Sequence, residues 1–595
     1  MPQTKHERPG TGLPILAILL VVLTFATYGP VLHGGFTWDD DALITDNPII
    51  KHGDGLRRLW FTTDALDYYP MTGSLYWLEW RAWGNRAAGY HVVNVLLHAT
   101  NAVLLWTILR RLKIPGAWLA ALVFAVHPVN VATAAWISEQ KNTLSMMFAA
   151  VAVLFWLRFH DENRWRWYGF SLAAFLLALL SKSAVVMLPL VLLGCVWWTR
   201  GRVRWRDVRR AVPFFVISLA LGLVTVWFQY HRAMAGIPVR SDSFLARLAA
   251  AGWVPWFYLC KALLPLNLMV IYPKWHIDAD HWVSYAPGAL LAVCFLVFWW
   301  KRRTWGRAPL FGLGYFVVTL FPVLGFLDQG FYSYSLVADH WQYYSIIGVI
   351  ALAVAAGDAA CRRMGRQYRY WGTVAAAAVV AVMGVASWQR SDVYASDERL
   401  WQDNLAKNPG AWTAYINLGL NKVWAGHPDE AIGYFEQALR LDPDDANAHN
   451  GLAHALLQLG RAQEAVLHLE QALRIDPDDA DAHNNLGLAL LQLGRTQEAI
   501  LHLEQALRID PDDTDAHINL GNALFQAGKV PEAFSHYQEA LRLNPDSALL
   551  HADLGVALEK SGRIPEAIAQ YQQALKLNPD FTAARDAIER LRASQ

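Results

Sequence analysis

Long apolar runs fill the first two thirds of the chain, and a pattern with a period of 34 residues fills the rest. A helix needs about 20 apolar residues to cross a bilayer, and shorter runs cross with tilt or beside neighbours. Eleven runs qualify, at about 12–30, 89–109, 115–133, 142–159, 167–181, 184–198, 211–229, 286–300, 307–326, 343–358 and 371–388. The pattern predicts an all-α protein, with a polytopic membrane bundle of about eleven spans before a soluble repeat domain.

One further stretch, Phe244–Val270, is apolar enough to span, but Ile271–Tyr285 after it is too polar to cross back. Counting it would place the cluster Lys301–Arg303 on the opposite side from the other basic clusters. We therefore predict that residues 244–270 form a re-entrant or interfacial segment.

Basic clusters beside the apolar runs predict the topology. Four of them follow the second, sixth, eighth and tenth runs, at Arg110–Lys113, Arg200–Arg210, Lys301–Arg303 and Arg362–Arg369. Because basic flanks stay in the cytoplasm, the N-terminus, flanked by Lys5, His6 and Arg8, is predicted to be cytoplasmic. Eleven crossings then place residues 390–595 outside the cytoplasm, which is the periplasm if the membrane is a bacterial inner membrane.

The 34-residue pattern defines the second part. Prolines recur at 409, 443, 477, 511, 545 and 579, and Glu-Ala pairs recur at 430, 464, 498, 532 and 566. This period resembles that of tetratricopeptide repeats, in which helix pairs stack into a superhelix. We predict a membrane domain over 1–390, a linker over 391–410, five repeats over 411–580 and a capping helix over 581–595.

Composition separates the same two parts. Residues 401–595 carry 15 Lys and Arg against 28 Asp and Glu, whereas residues 1–400 carry 36 against 22. The basic residues of the first part lie beside apolar runs, so they are topology signals and not a nucleic-acid footprint. All four cysteines lie in or at the edge of apolar segments, which excludes a disulfide framework in the repeats.

An acidic stretch, Gly34–Asp41, follows the first apolar run. Placing a carboxylate inside the membrane costs free energy, so a cluster of carboxylates at the end of a membrane helix indicates either a solvated loop or a functional site. Transfer of a group from a lipid phosphate to a hydroxyl needs a carboxylate that accepts the proton. Asp39 and Asp40 are the candidate bases, with Asp40 as the first choice, and adjacent acids shift each other's pKa. The alternative is that Asp39–Asp41 form a solvated turn.

Several motifs together resemble the transmembrane and tetratricopeptide-repeat containing O-mannosyltransferases. The motifs are Phe36-x-Trp38-Asp39-Asp40-x-x-x-Ile44-x-Asp46-Asn47, Tyr69-Pro70-Met71-Thr72, Tyr90–His98, Phe124–Val129 and Leu180-Ser181-Lys182. The resemblance covers most of the chain, including the order of membrane domain and repeats. It implies a C-type glycosyltransferase fold, a polyprenyl-phosphate sugar donor, mannose as a candidate sugar, and an acceptor on the outer face.

Other candidate site residues lie on predicted outer stretches. Glu139 is a candidate second acid, and its alternative is an exposed residue paired with Lys141. His91, Lys182 and His340 are candidates for holding the donor phosphate, and the alternative for Lys182 is a side chain that snorkels to the interface. No Walker motif occurs, so the donor would carry its energy in the sugar–phosphate bond. The sequence assigns no metal ligands and leaves a divalent metal requirement open.

In the repeats, Asn417, Asn485 and Asn519 share one position on the first helix. Side-chain amides can form hydrogen bonds with the backbone of an extended peptide whatever its sequence. The three asparagines resemble the asparagine ladder in the repeat superhelix of the nucleocytoplasmic O-GlcNAc transferase. The alternative is that Asn-Leu-Gly is simply common in such repeats. Two histidine series also recur at the repeat period, and we expect them to pack rather than to share a metal ion.

The leading hypothesis is an integral-membrane enzyme that transfers a lipid-linked sugar to protein hydroxyl groups outside the cytoplasm, while the repeats grip the acceptor. One alternative is a non-catalytic scaffold for envelope proteins. A membrane anchor for such a scaffold would need neither eleven spans nor an acidic first loop. Another is a polysaccharide ligase or polymerase, for which we expect the large outer loop late in the chain.

Overall fold

The structure, a computed structural model, describes residues 12–234, 239–364 and 366–593. The chain forms two compact units that divide between Ala411 and Trp412. Helices make up most of both units, and the described residues contain no strand. The predicted all-α class is therefore confirmed. The N-terminal flank with Lys5, His6 and Arg8 lies outside the described residues.

The first unit contains seventeen helices among its described residues, joined by short 3-10 and π turns. They are α1 Gly12–Thr27, α2 Pro48–Lys51, α3 Gly55–Phe61, α4 Pro70–Trp83, α5 Ala87–Arg111, α6 Ala117–Ala125, α7 Val131–Ala134, α8 Gln140–Glu162, α9 Trp165–Ser181, α10 Leu188–Arg200, α11 Trp205–Phe228, α12 Phe244–Leu263, α13 Ala286–Trp300, α14 Arg307–Leu320, α15 Ile346–Arg363, α16 Arg366–Val393 and α17 Asp397–Lys407. The predicted re-entrant segment 244–270 thus contains α12, and the predicted linker 391–410 contains the end of α16 and α17.

Among the described residues, six helical segments are long and apolar enough to cross a membrane. With the turns that continue them, they are Ala87–Arg111, Ile137–Glu162, Ser183–Arg200, Trp205–Ala233, Trp282–Trp300 and Gln367–Val393. Ala117–Ala125 and Pro128–Ala134 form one more pair that is bent by 48°, and three shorter apolar helices are Gly12–Thr27, Trp165–Ser181 and Arg307–Val323. The total of eleven spans stays a prediction.

The distribution of apolar surface explains these helices. In α5 and α8 more than half of the apolar window is buried in the bundle, whereas in α13 none of it is. Leu296 on α13 is 67% exposed, and Val382 on α16 is 70% exposed. Water-soluble proteins rarely show such long apolar faces, but the hydrocarbon of a bilayer accepts them.

The second unit consists of five helix pairs and a final helix. Its helices are α18 Trp412–Trp424, α19 Pro428–Leu441, α20 Ala446–Gln458, α21 Ala462–Ile475, α22 Ala480–Gln492, α23 Thr496–Ile509, α24 Thr514–Gln526, α25 Val530–Leu543, α26 Ala548–Lys560, α27 Ile564–Leu577 and α28 Thr582–Ala593. This arrangement confirms the predicted tetratricopeptide-repeat solenoid.

Small residues on the first helix of each pair make room for a large side chain on the second. A Cβ atom at Gly487 would lie 2.5 Å from Leu503 Cγ, and one at Gly521 would lie 2.7 Å from Tyr537 Cε1. The turn between the two helices requires a left-handed residue, which is glycine in every pair, with φ between 73° and 79°. Larger residues at either place would separate the helices or strain the turn.

The two histidine series pair with each other inside three repeats. The Nδ1 atoms of His449 and His468 lie 3.1 Å apart. The corresponding Nδ1–Nδ1 distances are 3.1 Å for His483 and His502 and 3.0 Å for His517 and His536. His449 Nε2 lies 3.2 Å from the carbonyl oxygen of Pro443, which can only accept, so Nε2 carries the proton. The neutral His449 then accepts at Nδ1, and His468 donates. A second proton would have no acceptor between the rings.

The fifth repeat replaces the second histidine with a glutamine. His551 Nδ1 lies 2.7 Å from Gln570 Oε1, and its Nε2 lies 3.3 Å from the carbonyl oxygen of Pro545. Both ring nitrogens therefore face an oxygen atom, unlike those of the three histidine pairs.

We predict that acid destabilises the three repeats with histidine pairs. Burial and the partner ring hold the pKa of His468, His502 and His536 below its usual range, whereas a histidine of the unfolded chain has a pKa of about 6.5. The unfolded state thus binds more protons below this value, and stability falls as the pH drops through it. Protease cleavage within 446–543 of the full chain should begin at a lower temperature at pH 5 than at pH 7.5.

The fifth repeat supplies the matched variants. Replacing His468, His502 and His536 by Gln should remove most of this pH dependence, and Gln570→His should extend it to the fifth repeat. Equal pH dependence in the wild type and the triple variant would contradict the explanation.

Candidate active site

The acidic stretch forms a turn before α2 in which two adjacent carboxylates have different surroundings. Asp40 is fully buried. Its Oδ2 accepts the Thr37 N–H at 2.9 Å, and its Oδ1 accepts the Ser138 N–H at 2.7 Å and the Ser138 hydroxyl. Burial raises the pKa of Asp40 to about 7, against the lowering effect of the Ser138 and Thr37 hydrogen bonds. Asp40 ties the turn to residues 137–139, so a solvated turn does not describe it.

Asp39 is partly exposed, and its carboxylate makes no hydrogen bond with the described residues. Burial raises its pKa to about 6, Lys141 lowers it, and Glu139 and Asp67 raise it. The carboxylate therefore lies among charged groups, on a residue that is only partly buried. Of the two acids, Asp39 has the surroundings of a proton acceptor.

Glu139 brings several candidate residues together. The residue is 2% exposed, and its carboxylate oxygens lie 3.2 Å from Lys182 Nζ, 3.4 Å from Lys141 Nζ and 3.9 Å from His340 Nε2. A fourth partner, the Asn142 side-chain amide, donates to Glu139. A buried carboxylate requires such compensation, because an unpaired buried charge is costly. The alternative considered from the sequence, that Glu139 is an exposed residue, is wrong. The pairing with Lys141 that was part of that alternative does occur.

Lys182 and His340 differ in charge at neutral pH. Burial lowers the pKa of Lys182 to about 8, while Glu139 raises it, so the ammonium form persists near neutrality. Burial lowers the pKa of His340 to about 4, so its imidazole is neutral and can only form hydrogen bonds. Lys141, considered from the sequence only as a partner of Glu139, is the cation that lowers the pKa of Asp39. Its position two residues after Glu139 is the signal that could have identified it.

Helix α4 supports the same region. Tyr69 hydroxyl lies 3.1 Å from Ser183 Oγ, and Thr72 hydroxyl donates to the Ser181 carbonyl oxygen at 2.8 Å. Tyr76 hydroxyl donates to the Ile137 carbonyl oxygen at 3.1 Å. These bonds hold the backbone on both sides of Lys182 and just before Glu139.

His91 has a different position from the other phosphate candidates. It is fully buried on α5, and its Nε2 lies 3.1 Å from the Gly35 carbonyl oxygen. It forms no ion pair with Glu139 among the described residues. The observed contact holds the start of the acidic stretch, whereas Glu139, Lys182 and His340 form one group.

An apolar cavity of about 760 Å³ lies between α5, α8, α10, α14 and α15. Its lining extends from Tyr344 to Trp198, Trp305 and Arg363. Tyr344 hydroxyl donates to the Asn142 carbonyl oxygen at 3.2 Å, and the Asn142 side chain donates to Glu139. One part of the cavity therefore adjoins the group formed by Glu139, Lys182 and His340. No three His, Cys, Asp or Glu side chains converge as metal ligands in the described ranges.

The three predicted acceptor-binding asparagines are half-buried in the repeats. Asn417 donates to the Thr413 carbonyl oxygen at 2.8 Å within α18. Asn485 donates to Asn450 Oδ1 at 2.8 Å, and Asn519 donates to Asn484 Oδ1 at 2.9 Å. Two of the amides thus link consecutive repeats, which orients their remaining polar atoms.

Two family models match the chain. The model of dolichyl-phosphate-mannose-protein mannosyltransferases matches residues 68–229, which include Glu139 and Lys182. The model of the C-terminal domain of cilia and flagella-associated protein 70 matches residues 342–592.

Curated relatives are protein O-mannosyl-transferases. Protein O-mannosyl-transferase TMTC3 of Mus musculus is 23% identical over 72% of this chain, which spans 51% of that protein. TMTC1 of Homo sapiens is 30% identical over 27% of this chain and 20% of its own length. The chain thus spans about half, or less, of these relatives' lengths.

Among solved structures, the thermophilic TPR protein TTC0263 of Thermus thermophilus aligns over its whole length with 31% of this chain, at 25% identity and a TM-score of 0.29. The relatives confirm the predicted resemblance to transmembrane and tetratricopeptide-repeat containing O-mannosyltransferases. They also support an integral membrane protein.

We predict that Asp40→Asn destabilises the first unit. Whichever way the amide is oriented, its NH₂ group faces a backbone N–H, of Thr37 or of Ser138, that now bonds an oxygen. An unsatisfied buried donor costs on the order of 1–3 kcal/mol. Fluorescence-monitored melting in detergent should show a lower midpoint for this variant. Asp41→Asn is the control, since Asp41 bonds only locally to Thr45, and equal midpoints for the two variants would contradict the role given to Asp40.

Proposed function

We propose that the chain is an integral-membrane glycosyltransferase that uses a polyprenyl-phosphate sugar, with mannose as the sugar. The acceptor is a hydroxyl group of a protein on the extracytoplasmic face. The observation that carries this proposal is the partly exposed Asp39, whose carboxylate interacts with Lys141 and Glu139, together with the apolar cavity that adjoins the Glu139, Lys182 and His340 group. The family model over residues 68–229 and the similarity to protein O-mannosyl-transferases support it.

Each group has a distinct part in the proposed transfer. Asp39 accepts the proton of the acceptor hydroxyl as its oxygen attacks the anomeric carbon of the sugar. The bond from that carbon to the phosphate oxygen breaks, and polyprenyl phosphate leaves with both electrons. Lys182 and Lys141 balance the phosphate charge, and neutral His340 supplies a hydrogen bond. Glu139 keeps both lysines in place and favours their charged forms.

The apolar cavity suits the lipid part of the donor. Its lining is mostly aliphatic and aromatic, with Arg363 at one part and Tyr344 at another. An isoprenoid chain in this cavity would have its phosphate near the Tyr344–Asn142–Glu139 contact. Burial of the chain provides affinity without hydrogen bonds, because the free energy scales with the apolar area removed from water.

We place the N-terminus in the cytoplasm and the repeats outside it, in the periplasm of a bacterium. The support is the distribution of Arg and Lys after alternate apolar runs. Asp39 and the repeats then lie on the same side of the membrane.

We predict that Asp39→Asn lowers turnover by roughly 10²-fold or more, because it removes the proton acceptor and keeps the shape. Turnover would be measured with purified protein, a synthetic polyprenyl-phosphate mannose and an acceptor peptide. In the wild type, kcat/KM should rise with pH through about 6, where Asp39 loses its proton. The variant should lack that rise.

Asp41→Asn is the matched control, since it changes an acid two positions away that bonds Thr45. It should keep near wild-type turnover. Full activity of Asp39→Asn would move the base to another group, and absence of transfer by the wild type with any lipid-linked sugar would refute the enzyme and favour a scaffold.

We also propose that the repeats hold the acceptor protein. Asn417, Asn485 and Asn519 share a repeat position, and the amide pairs orient the oxygen and the second N–H of Asn485 and Asn519. A cleft of about 360 Å³ near Asn519 and Asn522, lined also by Phe525, Tyr537 and Asp553, offers both apolar and polar contacts. Such a surface suits an extended polypeptide bound through its backbone.

We predict that the triple variant Asn417→Ala, Asn485→Ala and Asn519→Ala lowers transfer to an unfolded protein acceptor several-fold more than transfer to a short peptide. The short peptide reaches only the catalytic site, so it should be insensitive to the repeats. Circular dichroism would verify that helical content is unchanged. Equal losses on both acceptors, or none on either, would mean that the repeats do not bind the acceptor.

A further inference from the structure

Trp38 has an unusual backbone conformation directly before Asp39. Its φ is +49°, in the left-handed region that side chains other than glycine rarely adopt. Such a conformation persists only where surrounding contacts hold it. The residue that follows it is the proposed base, so these contacts decide where the Asp39 carboxylate lies.

The contacts that hold Trp38 come from the segment 395–401, at the start of α17. Trp38 N–H donates to Asp397 Oδ1 at 2.9 Å, and Asp397 Oδ2 accepts the Trp401 indole N–H at 3.0 Å. Three residues earlier in the turn, Gly35 N–H donates to the Ala395 carbonyl oxygen at 3.0 Å. The carboxylate of Asp397 thus joins the backbone of Trp38 to the side chain of Trp401.

Ring packing fixes the same residue from two sides. The Trp38 ring stacks on Trp136 with centroids 5.2 Å apart and an interplanar angle of 4°. Trp401 meets the Trp38 ring edge-on at 5.0 Å. Trp136 lies three residues before Glu139, so the ring pair also relates the turn to the charged group.

Helix α17 is itself anchored to the membrane unit. Arg390 at the end of α16 bonds Asp403, and Asn404 Oδ1 accepts the N–H groups of Val270 and Ile271 at 2.9 Å each. Lys407 Nζ donates to the Leu268 carbonyl oxygen at 2.9 Å. Because α17 is fixed in this way, Asp397 has a defined position from which to hold Trp38.

The segment 268–271, which α17 contacts, leads directly to a residue that bonds the segment before His340. Tyr272, which directly follows Ile271, donates its hydroxyl to Asp339 Oδ1 at 2.7 Å. Asp339 precedes His340, the neutral partner of Glu139. One helix therefore supports both the Asp39 turn and the His340 backbone.

We propose that Asp397 is a positioning residue for Asp39, and that α17 sets the geometry of the active site. This proposal rests on the proposed function for its catalytic consequence. Asp397 accepts hydrogen bonds from both Trp38 and Trp401 and does not meet the substrate. Its removal releases the Trp38 backbone, so that the following carboxylate leaves its place beside Lys141.

Two double variants of the full chain isolate the hydrogen bond to Trp38. Trp401→Phe removes the indole N–H that Asp397 Oδ2 accepts, so neither double variant contains that bond. Asp397→Asn combined with Trp401→Phe keeps an oxygen for Trp38 N–H, whereas Asp397→Ala combined with Trp401→Phe removes it. Both variants carry the same change in ring packing.

Hydrogen exchange measured by mass spectrometry gives a readout that needs no activity. We expect faster exchange in peptides covering 34–45 for the alanine variant than for the asparagine variant, with equal exchange in the repeats. In the transfer assay, kcat of the alanine variant should be about tenfold lower than kcat of the asparagine variant. This is the loss expected when the left-handed conformation of Trp38 is no longer stabilised. KM for the acceptor peptide should change less than about twofold, as for an effect confined to turnover.

Equal exchange over 34–45 in the two variants would overturn the proposal, as would equal kcat in an active enzyme. A difference in exchange together with no transferase activity in the wild type would support the role of Asp397 in the turn and refute the proposed function instead.

Discussion

The buried ion pairs of Glu139 are the interaction on which the membrane unit depends. A carboxylate inside a low-dielectric region is tolerated only when opposite charges and hydrogen-bond donors surround it. Lys141 lies beside Glu139 at the start of α8, whereas Lys182 and His340 come from distant parts of the chain, so their contacts with Glu139 hold α8, the α9–α10 junction and the turn before α15 together. In the proposed function, the lysines that stabilise Glu139 are also the charges that balance the donor phosphate.

Sequence reasoning could select the members of this group but not their pairing. Polar residues at the ends of apolar runs lie near a membrane face, which is why Glu139 was a candidate acid and Lys182 and His340 were candidates for holding a phosphate, but the pattern does not show that the three meet. Asp39 and Asp40 could not be separated, because the φ of Trp38 and the hydrogen bonds of Ser138 decide which carboxylate is buried. For His91, a position on an apolar helix defines a face but not the neighbour, which is the Gly35 backbone.

The repeats show a related contrast. A period of 34 residues predicts the helix pairs and the small residues between them, since the same position returns in each unit. It relates only equivalent positions, so it could not reveal that His449 contacts His468, 19 residues away on the antiparallel partner helix. The asparagine pairs were missed for the same reason, since Asn450 and Asn485 occupy different positions of consecutive repeats.

The left-handed backbone of Trp38 has a consequence for how the protein divides its time between conformations. The conformation costs roughly 1–2 kcal/mol for a residue with a side chain, and every 1.4 kcal/mol is a factor of ten in population. Without any of the contacts that hold it, the turn would spend only about a tenth of its time, or less, in the observed arrangement. Part of that stabilisation comes from Asp397, more than 350 residues away along the chain, so substitutions in α17 change the population of the turn while both of its acids stay unchanged.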